Sequence, residues 1–512
     1  MISSSPRTLI NFKKMRHLER LDSVYSTAPN HFLNQSRTSH FLCCQLNTMA
    51  GSQKTDAHVE DMWQLCIGKD IYQVPKPTVV LDRAKMQRHC QSLLDAVDHL
   101  GVDFRAHVKT HKTKEGVRLQ AGETRRDVRL VASTIAEMEY LLPVLYEFRN
   151  SGRNINVLYG IPLPLSQVGR LADLGRKLGR GSISILVDHI AQLIPVSRFF
   201  EQAGFPVDVY LKVDTGYHRA GLPPSSINKD ELVVRLMQLE GEGKLRFVGL
   251  YSHSSLSYND STPKEAMANL EGEINGCLDA LCSNAHMFPK GKDITISVGA
   301  SPQVTAVQNL MAPEDNIFEH TERLRKTMQK VINGYPAGLS TKLELHAGVY
   351  SVLDVQQLST RARVQLGDYE DEIAISVMAE VCSIYNNGER RQPEALVAVG
   401  VLGLGREPCA AYEGWGVIHR DAYSPGAKPN RRLIVSRVSQ EHCIVSWERG
   451  AGAEIQGSLP PIPLEVGQTV RIYPNHACIT GALYGRYLVV DSSSDGQDET
   501  RVVDVWTRAS GW

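Results

Sequence analysis

No apolar run in this 512-residue chain approaches the ~18 residues a membrane-crossing helix needs, so no span is expected. Net charge is absent as well. The 56 Lys and Arg offset 56 Asp and Glu, which leaves no global field to draw the chain to nucleic acid or to an anionic membrane. Paired cysteines are lacking: the ten are scattered except for Cys43-Cys44, and none form a CxxC. A reducing compartment therefore fits better than secretion. No GxGxxG follows an early strand, which removes the usual dinucleotide signature. What is present is ordinary globular material, 42% apolar and 22% charged, with room for roughly two or three domains.

Acidic residues are scarce at the start, where Glu19 and Asp22 are alone among Ser, Asn, Thr and basic residues up to residue 48. A mitochondrial presequence has this texture; so does a disordered extension, or an over-long start with Met49 as initiator. No clean amphipathic Arg-rich helix stands out, which favours the extension. Residues 1–60 are assigned to an N-terminal extension, disordered or targeting. The expected location is the cytoplasm, with the mitochondrion as the alternative if the extension is a presequence.

From residue 77 short apolar runs alternate with helical patterns. Strands are expected at Thr78–Leu81, Val102–Val108, Val128–Ala132, Ile155–Tyr159, Ile183–Val187, Val207–Val213, Phe247–Tyr251 and Ile294–Val298. About eight βα units close a parallel barrel, so the expected fold is α/β, a (β/α)8 barrel over residues 61–355. An open doubly wound sheet is the alternative. After Tyr350 short β-branched strands separated by turn residues predict a mainly antiparallel β domain over 356–512. Residues 303–342 and 417–432 read as insertions.

Two short motifs carry the chemistry. Phe104-Arg105-Ala106-His107-Val108-Lys109-Thr110-His111-Lys112-Thr113 follows a strand and precedes a helix, the place of the catalytic mouth in a barrel. Residues 107, 109 and 111 point to one side if the chain stays extended, and an amine among imidazoles and a second cation can serve as a Schiff-base nucleophile. The alternative is a solvated basic turn. Pro474-Asn475-His476-Ala477-Cys478-Ile479-Thr480 offers an imidazole and a thiol two residues apart, which an extended segment would aim at one metal such as Zn²⁺.

The lysine motif resembles that of the eukaryotic-type D-serine dehydratases and related D-threonine aldolases, fold type III pyridoxal-phosphate enzymes with an alanine-racemase-like barrel followed by a β domain. The similarity runs from about residue 77 to 506 through further motifs in order. They are Lys212-Val213-Asp214-Thr215-Gly216-Tyr217-His218-Arg219-Ala220-Gly221, Tyr251-Ser252-His253-Ser254-Ser255-Leu256-Ser257-Tyr258, and Ser297-Val298-Gly299-Ala300-Ser301-Pro302. Then follow Glu344-Leu345-His346-Ala347-Gly348-Val349-Tyr350, Ser439-Gln440-Glu441-His442 and the His476/Cys478 pair.

The resemblance implies that Lys109 is the Schiff-base lysine and catalytic base, with Lys112 non-catalytic. Arg219 faces the cofactor ring nitrogen, and Tyr251 and Tyr258 contact the cofactor. Ser301, where the family usually has threonine, holds the phosphate with the backbone amides of Gly348 and Val349. His476 and Cys478 hold zinc. The D-threonine aldolases have His-x-Asp at that last position, so His-x-Cys favours the dehydratase. The implied activity is a pyridoxal-phosphate- and zinc-dependent D-serine ammonia-lyase that yields pyruvate and ammonia. D-threonine is a further substrate candidate, and no nucleic-acid or membrane partner is expected. The alternatives are a D-threonine aldolase and a non-catalytic pyridoxal-phosphate-binding protein. By the same analogy the chain is a homodimer, the β domain of one subunit completing the other's site.

Overall fold

A computed structural model describes residues 63–512 apart from 124, 126, 313, 427–430, 450–458 and 494–498. The N-terminal extension, presequence or not, lies outside the described residues. No helix among them is long and apolar enough to cross a membrane.

Strand β1 (Thr78–Asp82) comes first. Eight parallel strands then close into a barrel: β2 (Asp103–His107), β3 (Asp127–Ala132), β4 (Asn154–Pro162), β5 (Ile183–Val187), β6 (Val207–Lys212), β7 (Leu245–Tyr251), β8 (Asp293–Val298) and β9 (Ser340–Ala347). Closure is between β2 and β9, with Phe104 opposite Leu345 and Ala106 opposite Ala347. The outward faces of these strands are apolar because helices cover them, and Ile183–Val187 is buried along its whole length.

The barrel prediction holds, but its strand list changes by two. Thr78–Leu81 is not a barrel strand: it pairs antiparallel with β10 (Ile375–Tyr385) and parallel with β16 (Arg486–Val490). The first barrel strand begins at Asp103. The place left by Thr78–Leu81 is taken by β9, inside and beyond the supposed insertion 303–342. That stretch contains the helix Phe318–Ile332, an ordinary outer helix between β8 and β9. Thr341 and Leu343 alternate with an exposed Lys342, which hides the strand among polar residues.

The second layer is a nine-stranded sheet in the order β11 (Glu394–Val397), β14 (Cys443–Trp447), β13 (Leu433–Val438), β12 (Gly416–Ile418), β15 (Thr469–Pro474), β10, β1, β16 and β17 (Asp504–Thr507). An added β10–β11 pairing curls its first six strands into a closed antiparallel ring. Strand β12 lies inside this sheet between β13 and β15, so 417–418, the start of the supposed insertion 417–432, are framework. Barrel and sheet form one compact unit.

The barrel axis is polar at depth. Arg105 is 2% exposed, and its Nε donates to Glu344 Oε1 at 2.7 Å; Arg129 and the Ser297 hydroxyl also donate to that carboxylate. Burial alone would raise the Glu344 pKa, but the two guanidiniums hold it below the usual range. A buried carboxylate paired this way is costly to remove singly. Glu344→Gln is expected to destabilise the fold by about 3–5 kcal/mol, read as a lowered urea midpoint against the parent.

Candidate functional site

Lys109, Tyr251, Ser301 and Gly348 lie at the C-terminal ends of the barrel strands. Strand β2 stops at His107. The chain then reverses, the Lys112 N–H donating to the Val108 carbonyl at 2.8 Å, so the period-two alternation ends there. Lys109 is half-buried in this turn. His111 does not share its side. It is buried, with Nε2 2.9 Å from Gln120 Oε1 and Nδ1 3.1 Å from the Thr113 hydroxyl. Burial lowers its pKa to about 4, which makes it a neutral packing group. Lys112 is also turned away, its ammonium 2.7 Å from the buried Glu137 carboxylate.

Beside Lys109 three imidazoles meet: the ring nitrogens of His107, His253 and His346 lie within 4.8 Å of one another. His107 Nε2 is 3.1 Å from the Tyr251 hydroxyl, and the Tyr251 ring stacks on His346 with centroids 4.3 Å apart. Burial first, then neighbouring positive charge including that of Lys109, holds all three well below the usual imidazole pKa. They are neutral at physiological pH. Tyr251 is thus part of a buried aromatic floor, and burial pushes its phenol pKa up. Arg219 is exposed, with its guanidinium 4.9 Å from the Tyr217 ring centroid. Its charge reaches His107, Tyr251 and Tyr258, and among the described residues it has no carboxylate partner.

Ser301 follows β8 and Gly348 follows β9. The Ser301 Oγ accepts from the amides of Gly348 at 3.2 Å and Tyr350 at 3.3 Å. The amides of Gly348 and Tyr350 thus converge on Ser301. The intervening Val349 N–H is buried and has no protein acceptor among the described residues. Gly348 must be small, because a Cβ there would come within 2.8 Å of His107 Cβ.

The His476/Cys478 segment is not extended. Strand β15 ends at Pro474, His476 is the N-cap of the helix Ala477–Ala482, and Cys478 lies in its first turn. The helix still reaches the barrel mouth, with Cys478 Sγ 3.2 Å from the Thr110 hydroxyl. His476 Nδ1 is 4.0 Å from Glu407 Oε2. Tyr258 is close enough for the charges of Cys478, Asp354 and Arg219 to act on its hydroxyl, and burial raises its pKa. The chain's own β domain thus comes to the chain's own lysine loop. The Ser439–His442 motif lies elsewhere, as the β13–β14 turn, where Ser439 and Gln440 carbonyls accept from Val401 and Leu402.

Two residues at this junction carry no signal in the sequence. Thr110 reads as a loop threonine. Asp354 reads as an ordinary helix N-cap, and one carboxylate oxygen does accept from the Gln357 amide at 2.9 Å. The other accepts from Ala477, between the His and the Cys, at 2.8 Å, a contact across 123 residues that no local pattern reveals. Burial raises the Asp354 pKa to about 6.

Comparison with known proteins agrees with this geometry. The serine dehydratase domain model matches residues 374–490, and the alanine racemase N-terminal domain model matches 81–310. D-serine dehydratase of Schizosaccharomyces pombe is 31% identical over 88% of this chain and 96% of its own length. That of Saccharomyces cerevisiae is 30% identical over 87% and 98%. The solved D-threo-3-hydroxyaspartate dehydratase of Delftia superposes with a TM-score of 0.64 at 24% identity, covering 86% of this chain and all 100% of that one. Further structures of that enzyme are a histidine-to-alanine variant and, two positions along, a cysteine-to-alanine variant in its metal-free form.

Proposed function

This chain belongs to the D-serine dehydratase family and is a lyase, and on that premise we propose that it eliminates water from D-serine, with pyridoxal phosphate on Lys109 and zinc on His476 and Cys478. The observation that carries this reading is the 3.2 Å approach of Cys478 to Thr110, which sets the thiol one residue from the lysine.

The residues fit both groups. The unpartnered Val349 N–H, the bare Gly348 and the Ser301 hydroxyl form a cradle suited to a phosphate oxygen. A half-buried thiol and imidazole are donors suited to zinc, and two protein ligands leave positions open for substrate. The spacing of the altered histidine and cysteine in the Delftia enzyme supports the same pair. When bound, pyridoxal phosphate withdraws electrons from Cα and zinc polarises the β-hydroxyl as a leaving group.

The chain's own side chains do the rest. Ser301, Gly348 and Val349 hold the phosphate. Arg219 would supply a fixed positive charge near the ring nitrogen, which would disfavour its protonation. The neutral imidazoles of His107, His253 and His346 support Tyr251 without adding charge, and Tyr258 lines the metal side. Lys109 Nζ takes the Cα proton as general base. Asp354 orients the metal helix through the Ala477 amide. The released enamine hydrolyses to pyruvate and ammonia. The homodimer belongs to the same proposal, and sedimentation of the purified chain checks it.

Product analysis tests the activity. D-serine should give pyruvate, and D-threonine should give 2-oxobutyrate; glycine plus acetaldehyde from D-threonine would instead identify an aldolase. Gly348→Ala is expected to weaken pyridoxal-phosphate binding at least about tenfold, since ~1.4 kcal/mol suffices for that and the new methyl must displace His107. Fluorescence titration of the apoenzyme measures it.

A further inference from the structure

A cavity of about 820 Å³ opens at the opposite end of the barrel from Lys109. Its rim includes Asp127, Asn154 and Asp293, the first residues of β3, β4 and β8. The buried Arg105 and Tyr210 also line it, so the cavity reaches the polar axis of the barrel.

The lining carries eight Arg and Lys side chains against four Asp and Glu. Part of this charge is internally matched. Arg246 Nε donates to Asp208 at 2.7 Å, Lys292 meets Glu240 at 2.5 Å, and Arg129 meets Asp103 and Asp127. Among the described residues Arg149, Arg153, Arg180 and Lys342 make no carboxylate ion pair within 4.0 Å, although the charge of Arg180 reaches Asp208. Arg149 and Arg153 donate to main-chain carbonyls of Leu178, Gly122 and Ala121, which fixes their positions without neutralising them. The Arg153 Nε is buried with no acceptor among the described residues.

A network serving only stability would pair its charges. This one leaves four cations around one concavity, three of them guanidiniums, whose planar forks suit phosphate oxygens. The volume is within the ~300–1,000 Å³ of small-ligand sites and exceeds what a lone phosphate fills. We propose that this cavity is a second ligand site, for a compact polyphosphate anion: inorganic pyrophosphate or tripolyphosphate, or the phosphate end of a nucleotide.

The test uses cofactor-loaded enzyme, so that the phosphate cradle at Ser301 is already filled. Pyrophosphate, tripolyphosphate and ATP are titrated calorimetrically into the parent and into an Arg180→Gln/Lys342→Gln double variant. Both residues are exposed, so the variant should keep the parent's melting temperature; Arg180→Glu alone is the second variant. Saturable binding at one ligand per chain, weakened at least tenfold in the double variant and falling with added salt, is the expected result. Tighter binding of ATP than of tripolyphosphate would assign the site to a nucleotide, and equal binding to the inorganic ion. No saturable binding of any probe at millimolar concentration, or binding unchanged in both variants, would overturn the proposal. Neither outcome depends on whether D-serine is the substrate.

Discussion

Replacing Lys109 with alanine is expected to abolish D-serine turnover and the visible absorption of the proposed cofactor, whereas Lys112→Ala is expected to keep the absorption. The two ammonium groups are three residues apart but differently placed: Lys109 is half-buried in the turn after β2, and Lys112 is 2.7 Å from the buried Glu137 carboxylate. Loss of Lys112 leaves that carboxylate without its cation, so the variant should be less stable while its cofactor chemistry persists. Lys112→Arg restores the charge and should restore the stability. Loss of Lys109 removes both the covalent anchor and the general base, and effects of several orders of magnitude are ordinary for a residue with two such roles. Borohydride reduction followed by peptide mapping locates the pyridoxyl group. Its recovery on Lys112, or on any other lysine, would end the assignment.

Removing the proposed metal is expected to separate two substrates by orders of magnitude. If zinc on His476 and Cys478 serves to polarise a β-hydroxyl, a substrate with an intrinsically good leaving group needs it far less. Chelated enzyme and Cys478→Ala should both eliminate chloride from β-chloro-D-alanine while losing D-serine turnover. Each 1.4 kcal/mol of leaving-group stabilisation is worth about tenfold in rate, so several kcal/mol of Lewis-acid assistance spreads the two rates widely. The comparison also controls for structure. Cys478 lies against Thr110, and a collapsed junction would abolish both reactions together. Equal loss for the two substrates would mean that the metal supports the fold or holds the carboxylate, and a leaving-group role for zinc would be ruled out.

The outcome of the barrel prediction shows where local pattern carries information. Ile183–Val187, Val207–Lys212 and Asp293–Val298 are legible because their alternate residues, such as Val207, Val209 and Leu211 or Ile294, Ile296 and Val298, are buried apolar side chains of the core. Strand β9 has the same alternation only from Leu343 to Ala347, with charged Lys342 before it and Glu344 within it, and its buried Glu344 and His346 meet Arg105, Ser297 and Tyr251. Strand β1 is legible as a strand but not as to its sheet, since apolar runs look alike whichever partner they pair with. His111 departs from expectation for a related reason: alternation holds only while the chain is extended, and the turn at Lys109 is set by packing.

By itself the sequence determined which residue types are present for the chemistry and their order: the lysine after an early strand, the Ser301 and Gly348 positions, and a His and Cys two apart. It also determined a parallel barrel followed by an antiparallel domain, because periodicity and turn residues are local properties. Only the tertiary structure decided which groups meet. It took Thr78–Asp82 into the distant sheet, turned His111 into the core and joined His107, His253 and His346. It also tied Asp354 to Ala477 and set Cys478 against Thr110 across 368 residues. Such contacts depend on how strands are ordered in a sheet and how two layers dock. Those are decided by the sum of burial over the whole chain, and no short segment encodes them.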